Sequence, residues 1–261
     1  QRKEIGAAPT RIWIFGQRQS RPPHCAWVCL VTTADTAPIL IVAVSYNTAE
    51  LARDYAQRFL ECELGDSATL VIADNSLDAP TALQALADES GGRFRCHHYP
   101  HNPMYLGAAR ASLFELAAQQ APFDYRAVVM SNVDLSMDFV RLAQVVSAAQ
   151  EHTGGTKWIL GPKIIEAGRR YLPNPHVLAP ANGRMDRRAV MRWYPSWYLY
   201  RWLYRLRRRV GTNPNADLPA FTPMYSAYGA CVVFGSGYFA AGGVIHEGPL
   251  FGEEFGFAEQ A

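Results

Sequence analysis

The sequence predicts an α/β fold with a mostly parallel central sheet and helices on both faces. Between residues 38 and 165, short apolar runs rich in β-branched residues alternate with segments of helical periodicity. Such runs are typical of strands buried on both faces, and their alternation with helices is typical of parallel crossover units. Polar residues also cluster directly after three predicted strands, where open α/β sheets bind their ligands.

Composition excludes several classes of protein. A chain of 261 residues, 49% hydrophobic and 18% charged, has ordinary globular composition and the length of one large domain. Its net charge of +2 argues against a dedicated nucleic-acid binder. No apolar run approaches the roughly 20 residues of a membrane-spanning helix. Five scattered cysteines, an odd number, indicate free thiols in a reducing compartment, so we expect a cytoplasmic protein.

The predicted elements begin after an irregular N-terminal arm, residues 1–36. The arm contains a short apolar patch at 11–15 and is interpreted either as loose or as an added edge strand. Residues 37–261 are interpreted as one domain. The predicted strands are 39–44, 69–73, 93–99, 125–130 and 158–165, and the predicted helices are 49–62, 81–87, 106–119 and 137–150.

The second part of this domain, residues 166–261, is less regular. Residues 166–183 predict a loop, and the Gly- and Ala-rich residues 227–241 predict a strand region. Residues 184–209, here called the basic aromatic segment, hold nine arginines, one acid, three tryptophans and four tyrosines, a net charge of +8. Three interpretations stay open: contact with a membrane surface, a helix packed on the sheet by its aromatic residues, or a phosphate-binding surface.

Six short motifs occur in a characteristic order. They are Val44-Ser-Tyr-Asn47, Asp74-Asn-Ser76 with Asp78, Asn102 to Gly107, Asn132-Val-Asp134, Gly229-Ala-Cys231 and Gly252-Glu-Glu254. In this order residues 38–261 resemble the family 2 glycosyltransferases, which have the Rossmann-like GT-A fold. Within that family the chain resembles the bacterial rhamnosyltransferase-type enzymes of surface polysaccharide synthesis.

The resemblance implies an inverting, metal-dependent glycosyltransferase. Such an enzyme moves a sugar from a UDP or dTDP donor to a hydroxyl group of a glycan or lipid-linked acceptor. Residues 37–165 then form the nucleotide-sugar half and residues 166–261 the acceptor half. If the basic aromatic segment contacts the inner membrane surface, the protein is peripheral on its cytoplasmic face.

The resemblance also assigns roles to individual residues. Glu254 is the catalytic base and Glu253 its neighbour, with the two roles exchangeable. Asp134 holds Mg²⁺ or Mn²⁺, for which oxygen ligands are suited. Asp74 bonds the base of the donor, because a carboxylate accepts from the imide N–H of uracil or thymine. The other implied nucleotide-sugar contacts are Ser45, Tyr46, Asn47, Asn75, Asn102, Gly107, Arg110, Asn132, Gly229 and Ala230.

Plainer interpretations stand beside these roles. Asp74 and Asp134 would each suit the cap of the following helix, and Glu253 with Glu254 would suit an exposed first helical turn. The stretch Gly235-Ser-Gly237 predicts a turn rather than a nucleophile. His97, His98 and His101 favour exposed imidazoles at a strand end over a metal site.

A second function class also stays open. Asn132 stands where the family has an acid and Arg110 where it often has Asn, which leaves room for a catalytically idle nucleotide-sugar-binding or regulatory module. A dinucleotide-binding oxidoreductase is disfavoured, because no G-x-G-x-x-G follows the first predicted strand of the domain.

Overall fold

The computed structural model describes residues 12–15, 37–100, 125–164, 218–219, 221–224 and 227–243. Its strands are β1 (Ile12–Phe15), β2 (Ile39–Ser45), β3 (Ala68–Asp74), β4 (Phe94–His98), β5 (Ala127–Asn132), β6 (Ile159–Pro162), β7 (Phe221–Met224) and β8 (Cys231–Gly235). Its helices are α1 (Ala49–Glu61), α2 (Thr81–Glu89), α3 (Phe139–Thr153) and α4 (Ser236–Ala240), with a 3₁₀ turn at Gly65–Ser67.

The strands of this described part form one mixed sheet in the order β4-β3-β2-β5-β8-β6-β1-β7. Neighbouring strands from β4 to β5 are parallel, as are β6 and β1, whereas β8 runs antiparallel to both β5 and β6. The predicted α/β class and mostly parallel sheet are therefore confirmed. Strands β3 and β4 lie on one side of β2, and β5, the next described strand along the chain, lies on its other side. The direction in which the chain adds strands to the sheet therefore reverses at β2.

Side chains of β2 enter two apolar clusters, one on each face of the sheet. The odd-numbered residues 39, 41 and 43 belong to the cluster that contains buried residues of α1, α2 and α3. The even-numbered residues 40, 42 and 44 belong to the cluster that contains Tyr238 of α4. Because residues of a strand buried on both faces are all apolar, β2 reads as a continuous apolar run. The described helices thus lie on both faces, with the three longer ones on the same face.

Helix α1 packs through one stripe of its surface. Ala52, Tyr55, Ala56 and Phe59 are buried at helical spacing. The ring of Phe139, at the start of α3, meets the rings of Tyr55 and Phe59 edge to face with centroids 5.3 Å apart. These aromatic contacts hold the first turn of α3 against α1.

Two expectations need correction. Of the predicted strand region 227–241, only Cys231–Gly235 is a strand, and Ser236–Ala240 is a helix. A side chain at Gly235 or Gly237 would collide with Thr156, so both glycines allow the close approach at this strand-to-helix junction. The patch at 11–15 is neither loose nor at the edge, because β1 lies between β6 and β7.

The other predicted elements of the described chain are present, with ends shifted by up to three residues. The strand predicted at 158–165, for example, is Ile159–Pro162. The helix predicted at 106–119, the loop at 166–183 and the basic aromatic segment lie outside the described residues. Within the described ranges, the helices are too short or too polar to cross a membrane.

Candidate functional site

The strand register brings several predicted site residues to one edge of the sheet. Ser45 of β2 lies opposite Asp74 of β3, and Val44 lies opposite Asn132 of β5. His98 of β4 lies opposite Asp74 on its other side. These four parallel strands end together where the strand order reverses, which is the usual ligand position in open α/β sheets.

Asp74 is fully buried and closes a turn formed by residues 74–76, here called the Asp74 turn. The Ser76 hydroxyl donates to Oδ1 of Asp74 at 2.8 Å, and the Ser76 backbone N–H donates to Oδ2 at 3.2 Å. Helix α2 begins later, with Pro80 at its N-cap, so Asp74 does not cap it. A carboxylate has about four acceptor positions, but full burial means that a ligand must displace a covering group to reach them.

Ser76 joins this turn to the loop after β2. Its hydroxyl accepts from the backbone N–H of Asn47 at 2.9 Å, and the N–H of Asn75 donates to the carbonyl of Ser45 at 2.8 Å. Asn47 has a φ of 54°, a left-handed conformation that Asn adopts more readily than most residues. The two loops are thus one hydrogen-bonded unit. The sequence motif included Ser76 but gave it no role, although its place two residues after an Asp is typical of an Asx turn.

His98 supports the same turn from β4. Its Nε2 lies 2.8 Å from the carbonyl oxygen of Ser76 and 3.8 Å from Oδ2 of Asp74. A carbonyl only accepts, so Nε2 carries a proton and donates. The expectation of exposed imidazoles is wrong for His97 and His98, which are both half-buried. His101 lies outside the described residues.

An acceptor and an aromatic ring lie beside this turn. Asn75 is 5% exposed, and its Oδ1 has no hydrogen-bond partner in the described part of the chain. Tyr46 is 56% exposed, although it is large and largely apolar. A buried acceptor without a donor costs free energy that a bound N–H or O–H group would recover, and an exposed ring offers a surface for stacking.

The antiparallel strand β8 brings two further predicted residues to this edge. Ser131 lies opposite Cys231, and the backbone N–H of Asn132 donates to the carbonyl of Ala230 at 3.0 Å. Gly229 and Ala230, which precede β8, therefore lie beside the end of β5. Their sequence distance from Asn132 is almost a hundred residues, so only the sheet pairing places them together.

Asp134 is exposed in the loop formed by residues 133–138, here called the Asp134 loop. Asp138, not Asp134, caps α3, because its carboxylate accepts from the N–H of Arg141 at 2.9 Å. Asp134 and the half-buried Asn132 supply oxygen atoms of the kind that Mg²⁺ and Mn²⁺ prefer. Among the described residues no three His, Cys, Asp or Glu side chains form a metal-binding group. Asp134 and Asn132 therefore suit an ion whose other ligands are water molecules or phosphate oxygens.

Two thiols near the site are unreactive by environment. Burial raises the pKa of Cys231 to about 12, and burial together with the nearby charge of Asp74 raises the pKa of Cys96 to about 12. Only a thiolate is a good nucleophile or metal ligand. Both residues are therefore neutral thiols.

The remaining predicted site residues are Asn102, Gly107, Arg110, Glu253 and Glu254, which lie outside the described residues. The chain matches no known protein-family model, and no curated protein matches it significantly. The site is thus defined by the described geometry, in which residues after β2, β3, β5 and before β8 share one edge of the sheet.

Proposed function

We propose that the chain is a family 2 glycosyltransferase of the GT-A type. In this proposal it inverts the anomeric centre while moving a sugar from a UDP or dTDP donor to a hydroxyl group of a glycan or lipid-linked acceptor. Surface polysaccharide synthesis of the rhamnosyltransferase type is the process it would serve. The observation that carries the proposal is the convergence of four separate motifs at the reversal point next to β2.

The base of the donor is proposed to lie against the loop after β2. Tyr46 offers an exposed ring for stacking, with Ser45 and Asn47 beside it. Two acceptors, Asp74 and Asn75, suit the imide N–H of a pyrimidine. The buried Oδ1 of Asn75 without a partner supports such a donor at this place.

The diphosphate is proposed to lie near the ends of β5 and β8. Asp134 and Asn132 would hold Mg²⁺ or Mn²⁺ there, and Arg110 would pair with phosphate oxygens, whose geometry a guanidinium matches. When bound, the ion would neutralise charge on the leaving nucleoside diphosphate. Gly229 and Ala230 would form the floor of the sugar and acceptor site, with Asn102 and Gly107 at its border.

Glu254 is proposed to take the proton of the acceptor hydroxyl. The freed oxygen forms its bond to the anomeric carbon from the face opposite the diphosphate, whose bond to that carbon breaks, so the configuration inverts. General-base catalysis of this kind is worth about 10²–10⁴-fold. Glu253 would orient Glu254 or exchange roles with it.

The basic aromatic segment suits an acceptor that lies at a membrane. Its arginines would attract anionic lipid, at about 1 kcal/mol each near the surface, and its tryptophans favour the headgroup level. Vesicle sedimentation at low and high salt tests this. Binding that persists in high salt and needs the tryptophans favours insertion, and absence of binding at every lipid composition removes the membrane contact.

A nucleotide-sugar-binding module without catalysis is the second candidate. Asn132 favours it, because this amide stands where the family has the first acid of its metal-binding motif. Both candidates predict binding of a nucleotide sugar, and only the first predicts turnover.

The experiment is a screen of sugar nucleotides by thermal shift with and without Mn²⁺, followed by a nucleoside diphosphate release assay. A ligand that binds the native state raises the melting temperature. UDP- or dTDP-sugars are expected to stabilise the protein more than GDP-sugars, and excess EDTA is expected to stop release. Stabilisation without release favours the binding module, and no stabilisation by any nucleotide sugar refutes both candidates.

Glu254→Gln is the matched test of the base. It is expected to leave donor binding unchanged and to lower turnover by about 10²-fold or more. Glu253→Gln is its control. If Glu254→Gln turns over normally while Glu253→Gln is inactive, the assignment of the two residues is reversed.

A further inference from the structure

The Asp134 loop has little internal support of its own. At its start, the N–H of Leu135 donates to the carbonyl of Asn132 at 3.4 Å, which is a long distance for a hydrogen bond. Asp134 itself is exposed. A side chain in such a loop holds a fixed position only if another element restrains the loop from outside.

Helix α1 supplies such restraints. Arg58 donates from Nη1 to the hydroxyl of Ser136 at 3.0 Å and from Nη2 to the carbonyl of Leu135 at 3.4 Å. Its guanidinium carbon also lies 5.9 Å from the ring centroid of Tyr55, one helical turn earlier. The planar guanidinium thus contacts two successive residues of the loop just after Asp134.

Tyr55 of α1 also restrains the Asp134 loop, through contacts on both sides of Asp134. Its buried hydroxyl group is hydrogen-bonded to the hydroxyl of Ser131 at 2.8 Å and donates to Sδ of Met137 at 3.5 Å. Ser131 is the third residue before Asp134, and Met137 is the third residue after it. Tyr55 therefore ties the strand end before Asp134 to the loop after it.

We propose that Tyr55 and Arg58 are positioning residues that set the place of Asp134 for a metal-bound diphosphate. Neither touches the ligand, and both act through the Asp134 loop. The metal part of this inference rests on the proposed function. The restraint of the loop by α1 is testable without any ligand.

The test compares Arg58→Ala and Arg58→Lys with Arg53→Ala. Arg53 lies on the same helix and is exposed, so its replacement removes the same charge and leaves the contacts of Arg58 with the loop in place. Tyr55→Phe removes only the hydroxyl group and keeps the ring. The first measurement is amide hydrogen exchange of residues 132–138 in the absence of ligand. The second is Mn²⁺ affinity in the presence of UDP, measured by electron paramagnetic resonance without acceptor.

Arg58→Ala and Tyr55→Phe are expected to speed exchange of the loop and to weaken Mn²⁺ binding by about three- to tenfold, the usual size for losing one hydrogen bond. Arg58→Lys is expected to give exchange rates and Mn²⁺ affinities between those of the wild-type protein and Arg58→Ala. An ammonium group still donates hydrogen bonds, but it lacks the planar, two-pronged geometry of a guanidinium group. Turnover at saturating Mn²⁺ is expected to recover towards the wild-type value, so the metal activation constant changes more than kcat.

Exchange and Mn²⁺ affinity that match those of Arg53→Ala in every variant would overturn the proposal. Faster exchange with unchanged Mn²⁺ affinity would also overturn it, because the restraint would then have no effect on the metal. If the wild-type protein binds no Mn²⁺ with any nucleotide, the proposed function fails at that step. Loop exchange in the variants would then still show whether α1 restrains the loop.

Discussion

The Asp74 turn and the Asp134 loop follow two strands that both pair with β2, yet they are built in opposite ways. The carboxylate of Asp74 is buried and accepts two hydrogen bonds from Ser76, within three residues of sequence. Asp134 is exposed, and its loop is restrained by side chains of α1 that lie about 80 residues away in sequence. The first region is held by bonds within the turn and by contacts with the neighbouring strands β2 and β4, whereas the second depends on a distant helix.

This difference separates stability from function. A buried carboxylate with two donors contributes to folding, and its removal leaves those donors without a partner. An exposed carboxylate contributes little to folding, because water solvates it well in both states. Mutations in the Asp134 loop are therefore expected to change activity, and mutations in the Asp74 turn are expected to change stability.

The largest expected effect is on activity at Asp134. Asp134→Asn is expected to lower turnover by at least about 100-fold, the size of losing one group that acts on developing charge, with no change in melting temperature. Steady-state release of nucleoside diphosphate and a thermal melt measure the two quantities. Asp138→Ala is the control, because it removes the cap of α3 and should cost about 1 kcal/mol of stability. A lower melting temperature for Asp134→Asn would contradict the contrast.

Asp74→Ala is expected to lower the stability of the fold, which Asp134→Asn leaves unchanged. It leaves the hydroxyl and N–H of Ser76 without their acceptor, so the free energy of unfolding should fall by about 2–3 kcal/mol. Urea unfolding followed by circular dichroism measures this, with Asp134→Ala as the matched carboxylate. Equal stability of the two variants would show that the Asp74 turn is not the rigid region.

Ser76→Ala is expected to cost about 1–2 kcal/mol, because the N–H of Asn47 loses its acceptor and Asp74 loses a donor. Ser136→Ala is the matched serine in the other region. Its hydroxyl is exposed and bonded to Arg58, so its loss should cost less than about 0.5 kcal/mol. The same urea experiment applies to both, and a larger cost at Ser136 would reverse the assignment of the rigid region.

The last effect appears only at alkaline pH. Cys96 and Cys231 have pKa values raised to about 12 from an ordinary value of 9.0. The unfolded chain releases these protons first, so it binds fewer protons than the folded chain and stability falls as pH rises from about 9 to 12. Each thiol contributes a slope of up to about 1.4 kcal/mol per pH unit.

The measurement is urea unfolding between pH 8 and 10.5, with Cys96→Ala and Cys231→Ala against the wild-type chain. Each variant is expected to show a shallower decline with pH. An unchanged slope in both variants would mean that the thiols are ionised to the same extent in the folded and unfolded chain.

Several features of the fold were readable in the residues. The continuous apolar run at 39–44 predicted β2, and the spacing of Tyr55 and Phe59 predicted α1, because burial on both faces of a strand or on one face of a helix leaves a direct periodicity. The strand-end clusters at Ser45, Asp74 and Asn132 were correctly expected to meet at one edge, since parallel strands end together.

Other features left weaker traces. The short helix α4 was read as strand, because five residues are too few to show a helical period and their composition resembles that of β8. The support of the Asp74 turn by Ser76 was missed, although its spacing was visible. The support from His98 could not be predicted from periodicity, because it depends on the pairing of β4 with β3.

By itself the sequence determined which segments are strands and helices, because propensity and burial pattern are local properties. Only the tertiary structure decided the order of strands, in which β8 separates β5 from β6 and brings Gly229 and Ala230 to the site. It also placed α1 and α3 on the same face, although the connections β2-α1-β3 and β5-α3-β6 move in opposite directions along the sheet. Because the two helices lie on one face while the connections run in opposite directions, the two crossovers differ in handedness. Crossovers between parallel strands are nearly always right-handed, and two right-handed crossovers would place α1 and α3 on opposite faces. The edge-to-face contacts of Tyr55 and Phe59 with Phe139 stabilise the observed arrangement, and they join residues about 80 positions apart in sequence.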